Sequence, residues 1–405
     1  MPRPLTSITK PLGFCAAAGT CGIKASGTPD LAMIACRVPA VAAAVFTTNA
    51  VVGAPVTIGR KHVRNGRLRA VVCNSGVSNV ATGQQGLDNA VRMCAAVAEA
   101  LGCDPHDVLP ASTGVIGHQL PIDKITTGIA SIAPTLSRGP KADAAAARAI
   151  MTTDLRPKTA LRTIKLGSST VHIGGIAKGS GMIAPSMATM LVFITTDTNI
   201  TAAPLRRALR DAVNADASFN RISVDTDTST SDTVAVLASG LAGNPRISSA
   251  DAPGYEHFAA ALADLCRDLA YQVIADGEGA HHVIRVTVNG AKSAADALRA
   301  ARAIADSPLV KCAVHGADPN WGRVAAAAGR SGAVVDPSKM TIRIGKTTVY
   351  RNARPAKFNP TDVSKAMKKF DVPIHLSLGL GKGHVEVLGC DLSREYIAIN
   401  ADYHT

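Results

Sequence analysis

Lys178-Gly-Ser-Gly-Met-Ile-Ala-Pro-Ser-Met-Ala-Thr189-Met-Leu-Val-Phe-Ile-Thr-Thr-Asp197 sets a Gly/Ser/Pro-rich break directly against a continuous apolar run, in the middle of the chain. The run from Thr189 to Ile194, closed by Thr195, Thr196 and Asp197, reads as a strand buried on both faces. Periodicity alone leaves a short buried helix open. On the strand reading Thr189 is its first residue, a hydroxyl carried by a deformable loop onto a rigid element, which is a sound place for a nucleophile. Taken singly, a threonine beside a glycine-rich stretch is more often a turn.

Outward from this run, strand and helix periods alternate, which argues an α/β class. Short β-branched runs predict strands at 68–73, 233–238, 283–288, 340–350, 375–378 and 396–400. Leu87, Val91, Cys94, Val97, Ala98 and Leu101 predict one face of a helix that Gly102 ends. A longer helix is predicted on Tyr255, Phe258, Ala259, Leu262, Leu265, Leu269 and Val273. Pro204 and Pro360 suit first turns, with Asn359 as an N-cap, and these helices should end near Val213 and Phe370. With 405 residues, two domains are expected, and with only 3% aromatic residues the interior must be packed from small and β-branched side chains, as layered sheets allow.

The formal net charge of +13 raises nucleic acid as a partner, but the basic residues are scattered. The densest group (Arg60, Lys61, Arg64, Arg67, Arg69) has no interleaved aromatics and reads as solvated surface. The nine cysteines contain no C-x-x-C pair, so buried, reduced thiols are expected. No apolar leader and no membrane-spanning run is seen, and a cytoplasmic protein is expected. Gly379-Leu-Gly-Lys382-Gly lacks the upstream glycine and the Ser/Thr of a phosphate loop, and Asp225-Thr-Asp-Thr-Ser229 lacks the glycine and glutamate of a calcium loop. On a strand, His281 and His282 would face opposite sides, so no metal site is expected.

Ala177 to Leu191 closely resembles the self-cleavage segment of ornithine acetyltransferase, the bifunctional glutamate N-acetyltransferase of arginine biosynthesis. Segments 111–117, 151–154, 219–225, 276–280, 318–323 and 399–403 resemble that family in the same order. The chain departs where the family usually has Asn-Ser-Gly-Asn-Ala-Asn, reading Asn74-Ser-Gly-Val-Ser-Asn79, and where Thr-Lys often follows the glutamate motif, reading His281-His282.

The resemblance implies a layered α/β/β/α fold of the N-terminal-nucleophile type with a smaller C-terminal α/β subdomain at roughly residues 281–390. It implies cleavage between Ala188 and Thr189 into an α chain (1–188) and a β chain (189–405), assembled as two of each. Thr189 is then the nucleophile and its freed α-amine the base, since an amide nitrogen cannot act as one. Thr113 and Gly114 match the oxyanion-hole pair; a strand-end turn is the equal alternative on local sequence. Thr152, Lys178, Thr189, Glu278, Asn400 and Thr405 match positions that contact the substrates, N-acetylornithine and glutamate. No cofactor is implied, and the residues do not decide whether acetyl-coenzyme A is a second donor. An amidohydrolase or aminopeptidase of the same fold type is the first rival, and a non-catalytic anion- or nucleic-acid-binding protein the second.

Overall fold

The computed structural model describes residues 7–184 and 190–402. In chain order the elements are β1 (Phe14–Gly19), β2 (Leu31–Phe46), α1 (Ala54–His62), β3 (Arg67–Val77), α2 (Gly83–Leu101), β4 (Val108–Val115), α3 (Ile122–Ile132), α4 (Pro140–Ala149), β5 (Lys158–Leu166), β6 (Ser169–Lys178), β7 (Leu191–Thr196), α5 (Ala202–Asn214) and β8 (Ile222–Ser223). Then follow β9 (Thr233–Ala238), α6 (Tyr255–Ile274), β10 (Val283–Ala291), α7 (Ala294–Ala305), α8 (Pro308–His315), α9 (Trp321–Gly329), β11 (Thr341–Ile344), β12 (Thr347–Arg351), β13 (Arg354–Pro355), α10 (Pro360–Met367), β14 (Asp371–Ser377), β15 (Gly383–Cys390) and α11 (Arg394–Asp402). Two compact units divide the chain. One takes the described residues of Met1–Met182, Ser186–Asn214 and Asp227–Leu269; the other takes those of Ile183–Pro185, Ala215–Thr226 and Ala270–Thr405.

The first unit is built on an eight-stranded sheet in the order β4-β3-β2-β9-β7-β6-β5, with β1 paired to β2. Alternation along each strand sends successive side chains to opposite faces. Ala32, Ile34 and Cys36 of β2, Val71 and Cys73 of β3, and Leu109 and Ala111 of β4 share one core with Ile176, Leu191, Phe193, Ala235 and Leu237 of β6, β7 and β9. The two halves of the sheet thus face each other across a common interior, which the alanines of α4 help fill. On the outer side of the β2-β3-β4 half, Leu31, Met33, Ala70 and Val72 pack with Met93, Cys94 and Val97 of α2 and Ile125 and Ile129 of α3. Outside the other half, Gly175 lets α6 approach: a Cβ there would stand 2.9 Å from Leu269 Cδ1 and 3.0 Å from Leu265 Cδ2. The result is the expected α/β/β/α layering, drawn from a sequence poor in aromatics. Strand β7 is buried at every position because both of its neighbours and both of its faces are covered.

The second unit carries a mixed seven-stranded sheet in the order β13-β12-β11-β14-β10-β15-β8. Ile284, Val286, Val288, Val372, Ile374 and Leu376 form its apolar face, and Ala297, Ala300 and Ile304 of α7 with Val310 and Val314 of α8 cover it.

Most predicted elements are present, with instructive differences. Residues 340–350 form a hairpin, β11 and β12, turning at Gly345. In α2 the buried side is Ala90, Met93, Cys94, Val97 and Ala98, while Val91 is exposed. Asn359 caps α10 by accepting from the Thr361 amide, but the helix stops at Met367, before Phe370. The run 396–400, expected as a strand, lies inside α11. Its alternation is not core-facing, since Ile397 and Ile399 are exposed, and Ser393 Oγ accepts the Tyr396 amide at 3.2 Å as a helix cap does. His281 and His282 precede β10 rather than lying in it, and both of their amides donate to Asp391 Oδ1. Strand β7 begins at Leu191; Thr189 lies outside the described residues. No described helix is long and apolar enough to cross a membrane, and the described residues hold no cluster of three or more metal-ligating side chains.

Candidate active site

The sheet of the first unit brings four strand ends together. Lys178 closes β6 opposite Leu191, which opens β7; Leu191 pairs with Thr233, which opens β9; and Lys158 opens β5 beside Ala177. The apolar strands therefore stop where a group of polar side chains begins.

Lys178 is buried, and its Nζ donates to Thr152 Oγ1 at 3.2 Å. Asp154 is the hub beside it. Its Oδ1 accepts Lys158 Nζ at 2.6 Å and the Gly179 amide at 2.7 Å, and its Oδ2 accepts the Thr152 amide at 3.0 Å. Burial alone would raise this carboxyl, but Lys158, Lys178 and the Gly179 amide outweigh it and hold Asp154 below the usual carboxylate range. Burial pushes the Lys178 ammonium down against the opposing pull of Asp154. The Cys73 thiol, wholly buried, is pushed up to about 12 by burial, against the pull of Lys178 and Lys24.

Asp232, just before β9, is also fully buried. Its Oδ1 accepts the Met190 amide at 2.7 Å. The segment between Lys178 and Leu191 is thus held by a buried carboxyl near each end, Asp154 at Gly179 and Asp232 at Met190. Neither carboxyl was singled out by sequence reasoning. Asp154 sits in the quoted 151–154 segment without a role, and Asp232 ends a Ser/Thr-rich stretch that reads as loop; the available signal was an acidic residue at the head of an apolar strand.

Thr113 and Gly114 lie within β4, not in a turn after it. Thr113 is buried, and Gly114 has φ +128° opposite Gly76, where the register with β3 is irregular. A Cβ on Gly114 would lie 2.3 Å from the Gly76 carbonyl carbon, so only glycine fits. Below them Ser112 Oγ donates to Asn74 Oδ1 at 2.6 Å, and Asn74 Nδ2 donates to the Val77 carbonyl at 2.8 Å.

In the second unit, Glu278 is buried, and Asn400 Nδ2 donates to its Oε2 at 2.9 Å. Asn400 stands on α11, so the helix that replaces the expected strand is what presents it to Glu278. The structure therefore joins Lys178 with Thr152, and Glu278 with Asn400. Ala188, Thr189 and Thr405 lie outside the described residues.

The sequence compares closely with known proteins. A family described as the ArgJ family matches residues 15–405. The arginine biosynthesis bifunctional protein ArgJ of Symbiobacterium thermophilum is 48% identical over 98% of this chain and 98% of its own. That of Dehalococcoides mccartyi is 45% identical over 99% of this chain and 98% of its own. A crystal structure of the arginine biosynthesis bifunctional protein ArgJ from Bacillus halodurans is 42% identical with a TM-score of 0.50, covering 52% of this chain and 98% of that one. With a family match along almost its whole length and relatives nearly half identical to it from end to end, this chain belongs to the ArgJ family of arginine biosynthesis.

Proposed function

We propose that this ArgJ-family enzyme moves an acetyl group from N2-acetylornithine to glutamate through an acetyl ester on Thr189, after cutting itself between Ala188 and Thr189. One observation carries the reading: the segment that would be cut is held at Gly179 and at Met190 by two buried carboxyls, between neighbouring antiparallel strands. Such fixed ends let the intervening chain be bent toward its own hydroxyl without losing register. The matched Bacillus halodurans chain, about half the length of this one, is the size expected of residues 189–405, which favours cleavage.

In the uncut chain the nitrogen of residue 189 is an amide with no basicity. Cleavage makes it an amine with an ordinary pKa near 8, able to take the hydroxyl proton as the acyl group transfers. We assign the amides at Thr113 and Gly114 to the oxyanion, a contribution of about 3 kcal/mol per donor in comparable sites. The positive φ of Gly114 and its close approach to Gly76 fix that peptide in place, as an oxyanion donor requires. Lys178 with Thr152 offers donors to a substrate carboxylate, and Glu278, oriented by Asn400, offers a partner to a substrate ammonium. Thr405 is proposed to contact the substrates. Acetyl-coenzyme A as a second donor, assembly as two α and two β chains, and a cytoplasmic setting belong to the same proposal. The relatives' name, bifunctional, favours the second donor.

Intact-mass measurement of the purified protein tests the core of this. Two species matching 1–188 and 189–405 are expected, and N-acetylornithine should add one acetyl group to the second. Thr189→Ala should give one uncut, inactive species. An active, uncut wild type would refute the reading, and acetate release that ignores glutamate would turn it into a hydrolase.

A further inference from the structure

Asp225 closes the 219–225 segment, and the acetyl-transfer chemistry proposed above gives it no part. In the second unit its two carboxylate oxygens are engaged by different parts of the chain. Oδ1 accepts the Ile183 amide at 2.8 Å, and the Ile183 carbonyl in return accepts the amides of Val224 at 2.8 Å and Asp225 at 3.3 Å. Oδ2 accepts the Tyr396 hydroxyl at 3.3 Å, from the first turn of α11.

Both sides of this joint are themselves held. Lys311 of α8 is buried, and its Nζ donates to the Val224 carbonyl at 2.8 Å and to the Cys390 carbonyl. Val224 is therefore fixed through its amide by Ile183 and through its carbonyl by Lys311, and a buried ammonium gives up neither carbonyl easily. On the other side, Ser393 Oγ donates to the Gly279 carbonyl at 2.6 Å, and a Cβ on Gly279, at φ +65°, would collide with the Tyr396 nitrogen. The start of α11 thus lies against the loop that carries Glu278. One turn on, Asn400 Nδ2 donates to the Tyr396 carbonyl at 3.0 Å as well as to Glu278 Oε2 at 2.9 Å. Tyr396 joins the two ends: its hydroxyl meets Asp225, and its carbonyl steadies the amide that orients Glu278.

We infer that Asp225 is a positioning residue for the substrate ammonium, tying α11, and through it Asn400 and Glu278, to the stretch at Ile183. The inference rests on the function proposed above. Ile183 stands upstream of Ala188 and Asp225 and Tyr396 downstream of it, so cleavage after Ala188 leaves the first on the α chain and the other two on the β chain. One piece then steadies a helix of the other without a covalent link. The two substrates depend on that helix unequally. N2-acetylornithine keeps only its side-chain ammonium, because its α-nitrogen is acylated, and Glu278 is the partner proposed for it. Glutamate must present its α-nitrogen as a neutral amine to take the acetyl group, so it relies less on that carboxylate. With an acetyl ester between them, the two half-reactions are read separately as kcat/KM for each substrate.

Tyr396→Phe removes a hydroxyl from a half-buried side chain and leaves the Ile183 amide on Oδ1. Asp225→Asn keeps an acceptor for that amide and loses the charge. Wild type, both variants and the double variant are compared by intact mass, thermal midpoint and initial rates against each substrate. Tyr396→Phe should be cut as wild type is. Its kcat/KM for N-acetylornithine should fall about tenfold, through KM, as for one hydrogen bond to a charged group, with that for glutamate changing far less. The double variant should do no worse than the weaker single one, because both break the same tie. An unchanged KM for N-acetylornithine in Tyr396→Phe, an equal loss for both substrates, or losses that add in the double variant overturns the inference. If Asp225→Asn does not fold, Tyr396→Phe decides alone. A wild type that moves no acetyl group from N-acetylornithine to glutamate overturns the proposed function with it.

Discussion

At the scale of single residues, Asp154 shows how a buried charge is kept. Lys158 and Asp154 are 2% and 0% exposed and lie 2.6 Å apart. Removing one member of such a pair strands the other, typically at about 3 to 5 kcal/mol. Asp154→Asn is expected to destabilise the fold by about 3 kcal/mol at neutral pH, while a double replacement by Leu and Met should cost less than that single change. The pH dependence follows from the direction of the shift. Because the folded Asp154 lies below its unfolded value, its contribution is complete above the unfolded pKa of about 4 and is lost as pH falls through the folded value. Urea midpoints of wild type and Asp154→Asn should therefore converge on acidification below about pH 4; a gap that is constant or widens would show that another group carries the effect. None of this was legible from sequence. Lys178 and Thr152 are 26 residues apart, and only their resemblance to a known segment joined them before the structure did.

Elements were legible where burial matched pattern. The apolar run after the Gly/Ser/Pro break is a strand because the residues on either side of its ribbon are both sheet neighbours, a demand that leaves no polar position between Leu191 and Ile194. Pattern misled where hydrophobic letters were not core. Val91 was placed on the inner face of α2, yet the buried side also holds Asn89 and Gly86, residues that hydropathy does not flag. In α11 the alternating isoleucines point to solvent, and a serine cap rather than hydropathy sets the element. Strand β4 carries the functional prediction at this scale. Gly114→Ala puts a methyl group against the Gly76 carbonyl in a backbone conformation that disfavours it, so β3 and β4 must part. Acetyl transfer should fall by about a hundredfold, as for a lost oxyanion donor, with KM changing far less. An unchanged kcat would remove Gly114 from the oxyanion assignment.

For the whole molecule, the proposed cut falls between strands that remain paired. Strand β9, after the cut, lies between β2 from before it and β7; β7 itself pairs with β6 through six successive positions from Ile173 to Lys178. Separating the two pieces means tearing one sheet in two places and opening the core that Ile34, Val71, Phe193 and Leu237 share. After cleavage the pieces should co-purify and appear as two only in denaturant. Genes for 1–188 and 189–405 expressed together should yield one complex, and either alone should be insoluble, which native mass spectrometry and solubility assays can check. A soluble, monomeric 189–405 would contradict the shared interior.

The β6–β7 pairing bears on when scission can happen. Strands β6 and β7, which flank the proposed cut, are completed in the sheet by β9 beside β7, and β9 in turn pairs with β2 from residues far upstream. On the proposed function, a chain that has not yet completed its sheet is expected to remain unsplit, with scission coming last. The proportion of unsplit polypeptide in a preparation then becomes a built-in gauge of folding yield, readable on a gel without any assay of turnover.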